Sequence, residues 1–460
     1  MLILRVCSGI QVLGQHEEHK AYQRHGLEFV DARLFQLVNS SSLVNVQALM
    51  LLQFHHHNCS ERNIAFTLLG TVLRMGINLG MHREGHREGT DAFDPIEEHL
   101  RRRIWWTIFA FEHNSCIILG RPCAIDENEI NVDFPDEVLL DGGECVPQGY
   151  TERMVSLMRL VSNIKRKIYS SSNPSELPCA LIARQLLLEL DYWHNSLPPI
   201  LLLGTKQSSS KHERAVTLLH LQFHQAQVLV TRPFILRKAT VQLARRLGKH
   251  VRSQDLDDDE LALSNASLVF SRKSLALVQQ LFTRGQFNGT VCMDPYYMYH
   301  AKLVLALDFL ARCPHEVDTA EDTARRRAVI DATSSIKNAP LCPLHTTLQQ
   351  IAIQFAKIVE VDVQRPSVPK PPPDNPNDTQ CPSNTESQPQ NHHEMPTNNI
   401  GYGTEDGEST YNSSTTGNVI DYWEGEIFDL PWKMMTENFL LTDQTAFAAS
   451  AYYNWESGSL

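Results

Sequence analysis

Apolar residues recur three and four positions apart from Leu43 to Leu119, as in Ile64, Leu68, Val72, Met75 and Leu79. That is the period of a helix with one buried face, not the two-residue alternation of a strand. Strand-like alternation is scarce along the rest of the chain. The expected fold class is therefore all-α, a large multi-helix domain followed by a disordered acidic C-terminal tail.

Local signals place the helix ends. Gly80 suits the left-handed residue just past a helix, and Asp94-Pro95-Ile96-Glu97 reads as the start of the next one. Asp94 can cap the free amides, Pro95 fits the first helical position and Glu97 sits where a capping box wants a carboxylate. This helix is expected to bury Leu100, Ile104, Ile108 and Phe111 and to end at Gly120-Arg121-Pro122. Further helices are expected at 150–169, 176–194, 212–231, 239–251, 260–282, 296–312, 320–337 and 344–360.

At 460 residues the chain exceeds what one core usually serves. Its longest apolar runs fall far short of the roughly 18 to 20 residues that span a bilayer, so no membrane segment is expected. Met1 to Ile10 lacks the cleavage pattern of a secretory signal. Ten cysteines are scattered singly and read as reduced intracellular thiols. Residues 361–460 hold three Lys or Arg against fifteen Asp or Glu, which accounts for the whole net charge of -12. The first 360 residues are neutral overall, so net charge gives no sign of a phosphate-binding surface.

Several motifs follow one another in order. They are Val46-Gln47-Ala48-Leu49, Gly70 to Arg74, Leu79-Gly80-Met81-His82-Arg83, Arg101-Arg102-Arg103-Ile104-Trp105-Trp106 and Leu119-Gly120-Arg121-Pro122, with the acidic stretch Asp126 to Pro135 behind them. In order and spacing they resemble the regulatory middle region of fungal-specific zinc-cluster transcription factors. Leu219 to His224 and Thr231-Arg232-Pro233-Phe234 look like that region's second half, so the likeness runs over about residues 20–360. It implies transcriptional regulation in the nucleus and not catalysis. The residues carried over as its regulatory motif are Gly80, His82, Arg83, Arg101, Arg102, Arg103, Trp105, Trp106, Gly120, Arg121, Pro122, Arg232 and Pro233.

The likeness has departures. His99 stands where the family has a glutamate, and Glu112-His113 stand where it has Asp-Arg, so ion pairing is expected to differ there. The family's upstream Cys-x2-Cys-x6-Cys array, which binds two zinc ions and reads the major groove, is missing from this sequence. No cofactor is expected in this chain, and zinc is implied only if such a cluster lies upstream. Promoter DNA would then be reached through a missing segment or a partner. Met1 falls inside the family's middle region, which implies either a truncated reading of a longer chain or a shortened regulator.

Each conspicuous cluster has a plainer reading beside its sharper one. The arginine triplet could bind phosphate, but Glu97 and Glu98 lie one turn before Arg101 and Arg102 and favour ion pairs. Trp105 and Trp106 could stack on a ligand, but on an apolar stripe they are expected in the core. His55-His56-His57 cannot converge on one ion from adjacent helical positions and reads as a solvent-facing helix end. His82-x-Glu84-x-His86 inverts the metalloprotease order and is interrupted by Gly85. Cys116 and Cys123 lie on and just after the tryptophan helix without a Cys-x-x-Cys partner, which argues against zinc there. No nucleophile or nucleotide motif marks an enzyme.

Three segments result: a regulatory domain at 1–362, a Pro/Asn/Ser/Thr-rich disordered linker at 363–419, and an acidic-aromatic segment at 420–460. In the last, Trp423, Phe428, Trp432 and Phe439 alternate with acids, as in an activation segment that a coactivator groove accepts. The leading expectation is a transcriptional regulator of RNA polymerase II genes that contacts the transcription machinery through this tail. Two alternatives stay open: a DNA-binding-deficient protein that modulates full-length relatives as a homo- or heterodimer, and a helical small-molecule sensor.

Overall fold

A computed structural model describes residues 25–310 apart from 31, 60, 85–93, 142, 144–145, 170–178, 205–210, 247–255 and 289–292. The helices expected at 320–337 and 344–360, the linker and the acidic-aromatic segment lie outside them. All described residues belong to one compact unit. Among them every regular element is helical. The long helices are α1 Leu43–Asn58, α2 Arg62–Asn78, α3 Pro95–Ile118, α4 Tyr150–Ile164, α5 Ala180–Asn195, α6 Glu213–Arg246, α7 Asp258–Thr283 and α8 Met293–Leu310. None of the described helices is long and apolar enough to cross a membrane.

Neighbours in sequence pack as neighbours in space, α1 on α2, α2 on α3, α3 on α4 and α7 on α8, while α6 touches α4, α5, α7 and α8. Two helices are buried on all sides over much of their length: α3 from Ile104 to Cys116 and α6 from Ala215 to Arg232. A helix without a wet face belongs to the centre of the core. The two organise one continuous apolar cluster that includes Leu69, Val72, Trp105, Phe109, Tyr150, Leu190, Leu219 and Phe234.

The expected stop of α2 and the expected start and stop of α3 hold. Gly80 (φ 66°) and Gly120 (φ 64°) are both left-handed. At each end the same pair of bonds closes the helix: Gly80 N–H to Ile77 O and Met81 N–H to Gly76 O, then Gly120 N–H to Ile117 O and Arg121 N–H to Cys116 O. These are Schellman caps, which only a residue free of a Cβ penalty enters cheaply.

Four local expectations are corrected. Pro95 opens α3, but the Asp94 side chain caps nothing. The Glu97 carboxylate that a capping box would send back to Asp94 faces Arg101 instead, 4.0 Å away. On α2, Ile64 is 49 % exposed, and the core stripe begins one residue later with Ala65, Leu68, Leu69 and Val72. The histidine triplet is no solvent-facing end. His55 and His57 are buried because the last turn of α1 packs into the unit, with Phe54 edge-on to Phe111 at 6.4 Å. Burial, with Arg62 nearby, pushes the His57 imidazole down to about 4.

The fourth concerns Pro233, where two helices were expected and one runs through. Proline has no N–H to give the carbonyl four residues back, which usually breaks a helix. Here that carbonyl, Leu229 O, accepts the Tyr169 hydroxyl at 2.6 Å instead. Tyr169 ends a π-helical turn, Lys165–Tyr169, that prolongs α4.

Candidate functional site

The motif residues assemble into three linked places around α3. At the first, the end of α2 meets the first half of α3 and the strap that follows it. Arg101 donates to Leu79 O, the last carbonyl before Gly80. Arg102 is shared between Glu98, at 2.6 Å, and Glu84. Arg83 pairs with Glu129, and His82 O accepts the Asn131 amide at 3.2 Å. The His82 ring leans on Trp105, with centroids 5.5 Å apart. Arg103 is half-buried beside them.

Glu84 holds this corner together. Its Oε2 accepts the Asp133 amide at 3.1 Å, and its own amide donates to Asn131 Oδ1 at 3.0 Å. Burial would raise its pKa, but the Asp133 amide and Arg102 outweigh that and hold it below the usual carboxylate value. Both Glu84 oxygens are thus engaged within the unit, and His86 of the same pattern lies outside the described residues. Trp106 is 2 % exposed, stacks on Phe134 at 4.6 Å and donates Nε1–H to Asp133 O at 3.0 Å. Trp105 is 1 % exposed, so both indoles are core. His99, the departure from the family glutamate, accepts the Asp136 amide at 3.1 Å.

The second place is the turn that closes α3. Arg121 donates to Asn63 Oδ1 at 2.6 Å and lies 4.5 Å over the Phe66 ring, so it ties the turn to α2. Lys165 donates to Cys116 O at 3.0 Å and also to Arg121 O, supplying the cation that helix C-termini favour. A partly open cleft of about 520 Å³ lies alongside, lined by Phe66, Leu73, Arg74, Glu112, Arg121 and Pro122 among others.

The third place is the turn of α6 around Pro233. Arg232 is 2 % exposed with its guanidinium 5.1 Å above the Tyr169 ring, and Phe234 is fully buried. Tyr169 thus meets Arg232 and the Leu229 carbonyl that Pro233 cannot reach with an N–H. Lys165 and Tyr169 open and close the same π turn, so one short segment joins the second place to the third. Sequence reading weighed Glu84 only against a metalloprotease pattern and missed Asn131, Lys165 and Tyr169. Their partners lie 44 to 60 residues away for the two on the π turn, and no local periodicity encodes such pairings.

Residues 1–195 match the pattern described as the fungal specific transcription factor domain. That is the family this region is similar to. The Gly80-to-Pro122 motifs fall inside the matched span, and Arg232-Pro233 lies beyond it. Activator of stress genes 1 of Saccharomyces cerevisiae is 22 % identical over 287 residues, covering 59 % of this chain and 28 % of its own. An uncharacterised transcriptional regulatory protein of Schizosaccharomyces pombe is 23 % identical over 305 residues, 65 % of this chain and 37 % of its own. An ABC-transporter-regulating transcription factor of Aspergillus oryzae is 25 % identical over 205 residues, 42 % of this chain and 22 % of its own. The chain therefore spans well under half the length of these relatives. No solved structure matches it.

Proposed function

We propose that this chain is a transcriptional regulator in which residues 1–362 form the regulatory module and residues 420–460 contact the transcription machinery. The observation that carries the reading is the match of residues 1–195 to the fungal domain, supported by relatives named as transcriptional regulators. Arg83, Arg101 and Arg102 of the motif are committed to carboxylates and a carbonyl within the unit, which favours a scaffold over a nucleic-acid face. Promoter DNA would be reached through a segment outside the given residues or through a partner, and zinc would enter only with a cysteine cluster there. The place of action is the nucleus.

A fusion of the whole chain to a heterologous DNA-binding module tests this. Reporter expression should rise, and Trp432→Ala with Phe428→Ala and Phe439→Ala should remove most of the rise. A fusion that neither raises nor represses the reporter overturns the reading. Activation unchanged in the triple variant overturns the role of residues 420–460.

A further inference from the structure

Cys116 lies in the last turn of α3 and is 1 % exposed, while Cys123, seven residues on and past the Gly120 turn, is exposed. The Glu112 carboxylate and the two sulfurs lie within 4.8 Å of one another. The His113 ring reaches Cys123 Sγ from the other side, with Nε2 at 3.9 Å and Nδ1 at 4.0 Å. His113 is oriented by Phe109 O, 3.0 Å from Nδ1, and by Glu127, 3.5 Å from Nε2. From α4, Arg159 fixes Glu127 at 2.7 Å, and Lys165 sits on the carbonyls of Cys116 and Arg121.

The two thiols are unequal. The single Cys116 S–H has Pro122 O at 3.3 Å, Glu112 Oε1 at 3.4 Å and the Cys123 sulfur as alternative acceptors, contacts suited to a protonated thiol. The hydrogen bond with Cys123, burial and the Glu112 charge all push its pKa up. At Cys123 the hydrogen bond from Cys116 and the His113 imidazole outweigh burial and bring the thiol down to about 4. Burial alone would hold His113 neutral, but Cys123 and Glu127 raise it to about 9. A thiolate that is exposed, paired with an imidazolium and backed by a second thiol is the arrangement of a reactive cysteine with its resolving partner.

The geometry points to Cys123 and Cys116 as a peroxide-reactive thiol pair that closes to an intramolecular disulfide. The Cys123 thiolate attacks one oxygen of hydrogen peroxide, the O–O bond breaks, and the leaving hydroxide takes the His113 proton to depart as water. Cys123 is then a sulfenic acid. Cys116 passes its proton to Glu112 and attacks Cys123 Sγ. The S–O bond breaks, and the departing hydroxide leaves as a second water with that proton, or one exchanged for it. Two sulfurs lose one electron each, and one peroxide gains both. The bond would tie the Arg121 turn covalently to α3, where Arg121 also grips α2.

Site-resolved alkylation of the whole purified chain by iodoacetamide, read by peptide mass spectrometry, tests the pair. Cys123 should react at pH 5.5 within about twofold of its rate at pH 7.5, where an ordinary thiol loses on the order of a hundredfold. Peroxide should yield a peptide linking Cys116 to Cys123, two hydrogens lighter. In Cys116→Ser, whose fold is checked by circular dichroism, Cys123 should instead be trapped as a sulfenate by dimedone. A Cys123 rate that falls about tenfold per pH unit below pH 8 overturns the inference. So does peroxide treatment that forms no 116–123 link in the wild-type chain. Stoichiometric zinc that co-purifies and is lost in Cys123→Ser also overturns it, in favour of a metal site.

Discussion

The Tyr169 hydroxyl occupies the place that the missing Pro233 amide leaves at Leu229 O. The carbonyl that Pro233 leaves unpaired in α6 is thus satisfied from another helix, by a residue 60 positions before it in sequence. Tyr169→Phe should leave that buried carbonyl unpaired and cost about 1–3 kcal/mol. Pro233→Ala returns an N–H to the ladder, so the double variant should recover part of the loss. Urea denaturation of the four proteins measures the coupling, and strictly additive losses would contradict it.

Arg102 bridges two carboxylates from different parts of the chain. Removing it in Arg102→Ala strands the part-buried Glu84 and should cost more than Glu98→Gln, whose loss of an i,i+4 partner on a more exposed residue is worth roughly 0.3–0.5 kcal/mol. Both bonds leave one guanidinium nitrogen, Nη2, so Arg102→Lys, whose ammonium has three donors, should recover part of the loss. Thermal denaturation midpoints rank the three, and a lysine variant no better than alanine would count against the shared bridge.

Gly80 and Gly120 have open space where a Cβ would stand, so the cost of alanine there is backbone strain alone. Each substitution should cost about 1 kcal/mol. Gly76 differs: its helix tolerates alanine, but the new Cβ would meet Ile108 Cδ1 at 3.4 Å and the Trp105 ring at 3.7 Å. There the expected change is small, within about 1 kcal/mol of zero, since helix propensity gains what packing loses. Chemical denaturation of the three alanine variants separates strain from crowding.

Lys302 is 1 % exposed and its ammonium has no hydrogen-bond partner among the described residues. Burial lowers its pKa to about 7. Between pH 7 and the unfolded value near 10.5, the folded state binds fewer protons, so this group makes stability rise with pH there. Lys302→Met should therefore stabilise the protein, and by more at pH 6 than at pH 9. His57, His220 and His224, lowered to about 4, and His300, lowered to about 3, act in the same sense at lower pH. Their contribution is complete above about 6.5 and is lost as pH falls toward 4. Melting midpoints at pH 5, 6, 7 and 9 check both, and a Lys302→Met effect independent of pH would refute the first.

What could be read without coordinates was local. Pro95, Gly80 and Gly120 mark ends because each acts on its own backbone, and Glu98 with Arg102 are one helical turn apart. The burial of Trp105 and Trp106 also followed from their helix. The errors arose where a distant group decides the outcome. Pro233 looks like a stop until Tyr169 is in place, and the histidine triplet looks wet until α1 is packed. Spacing sets Cys116 and Cys123 seven residues apart but says nothing of Glu112, His113 and Glu127, which gather around them in the fold.

The π turn from Lys165 to Tyr169 accommodates one residue more than the α-helix it extends. Removing one residue there would let the segment relax to an ordinary turn and swing the following side chains by about 100 degrees. Lys165 could then still reach the carbonyls at the end of α3, but Tyr169 would face away from Leu229. The surplus residue works like the shim in a joint: the thickness of that one turn, more than the chemistry of any side chain in it, keeps the Gly120 corner and the Pro233 turn in register.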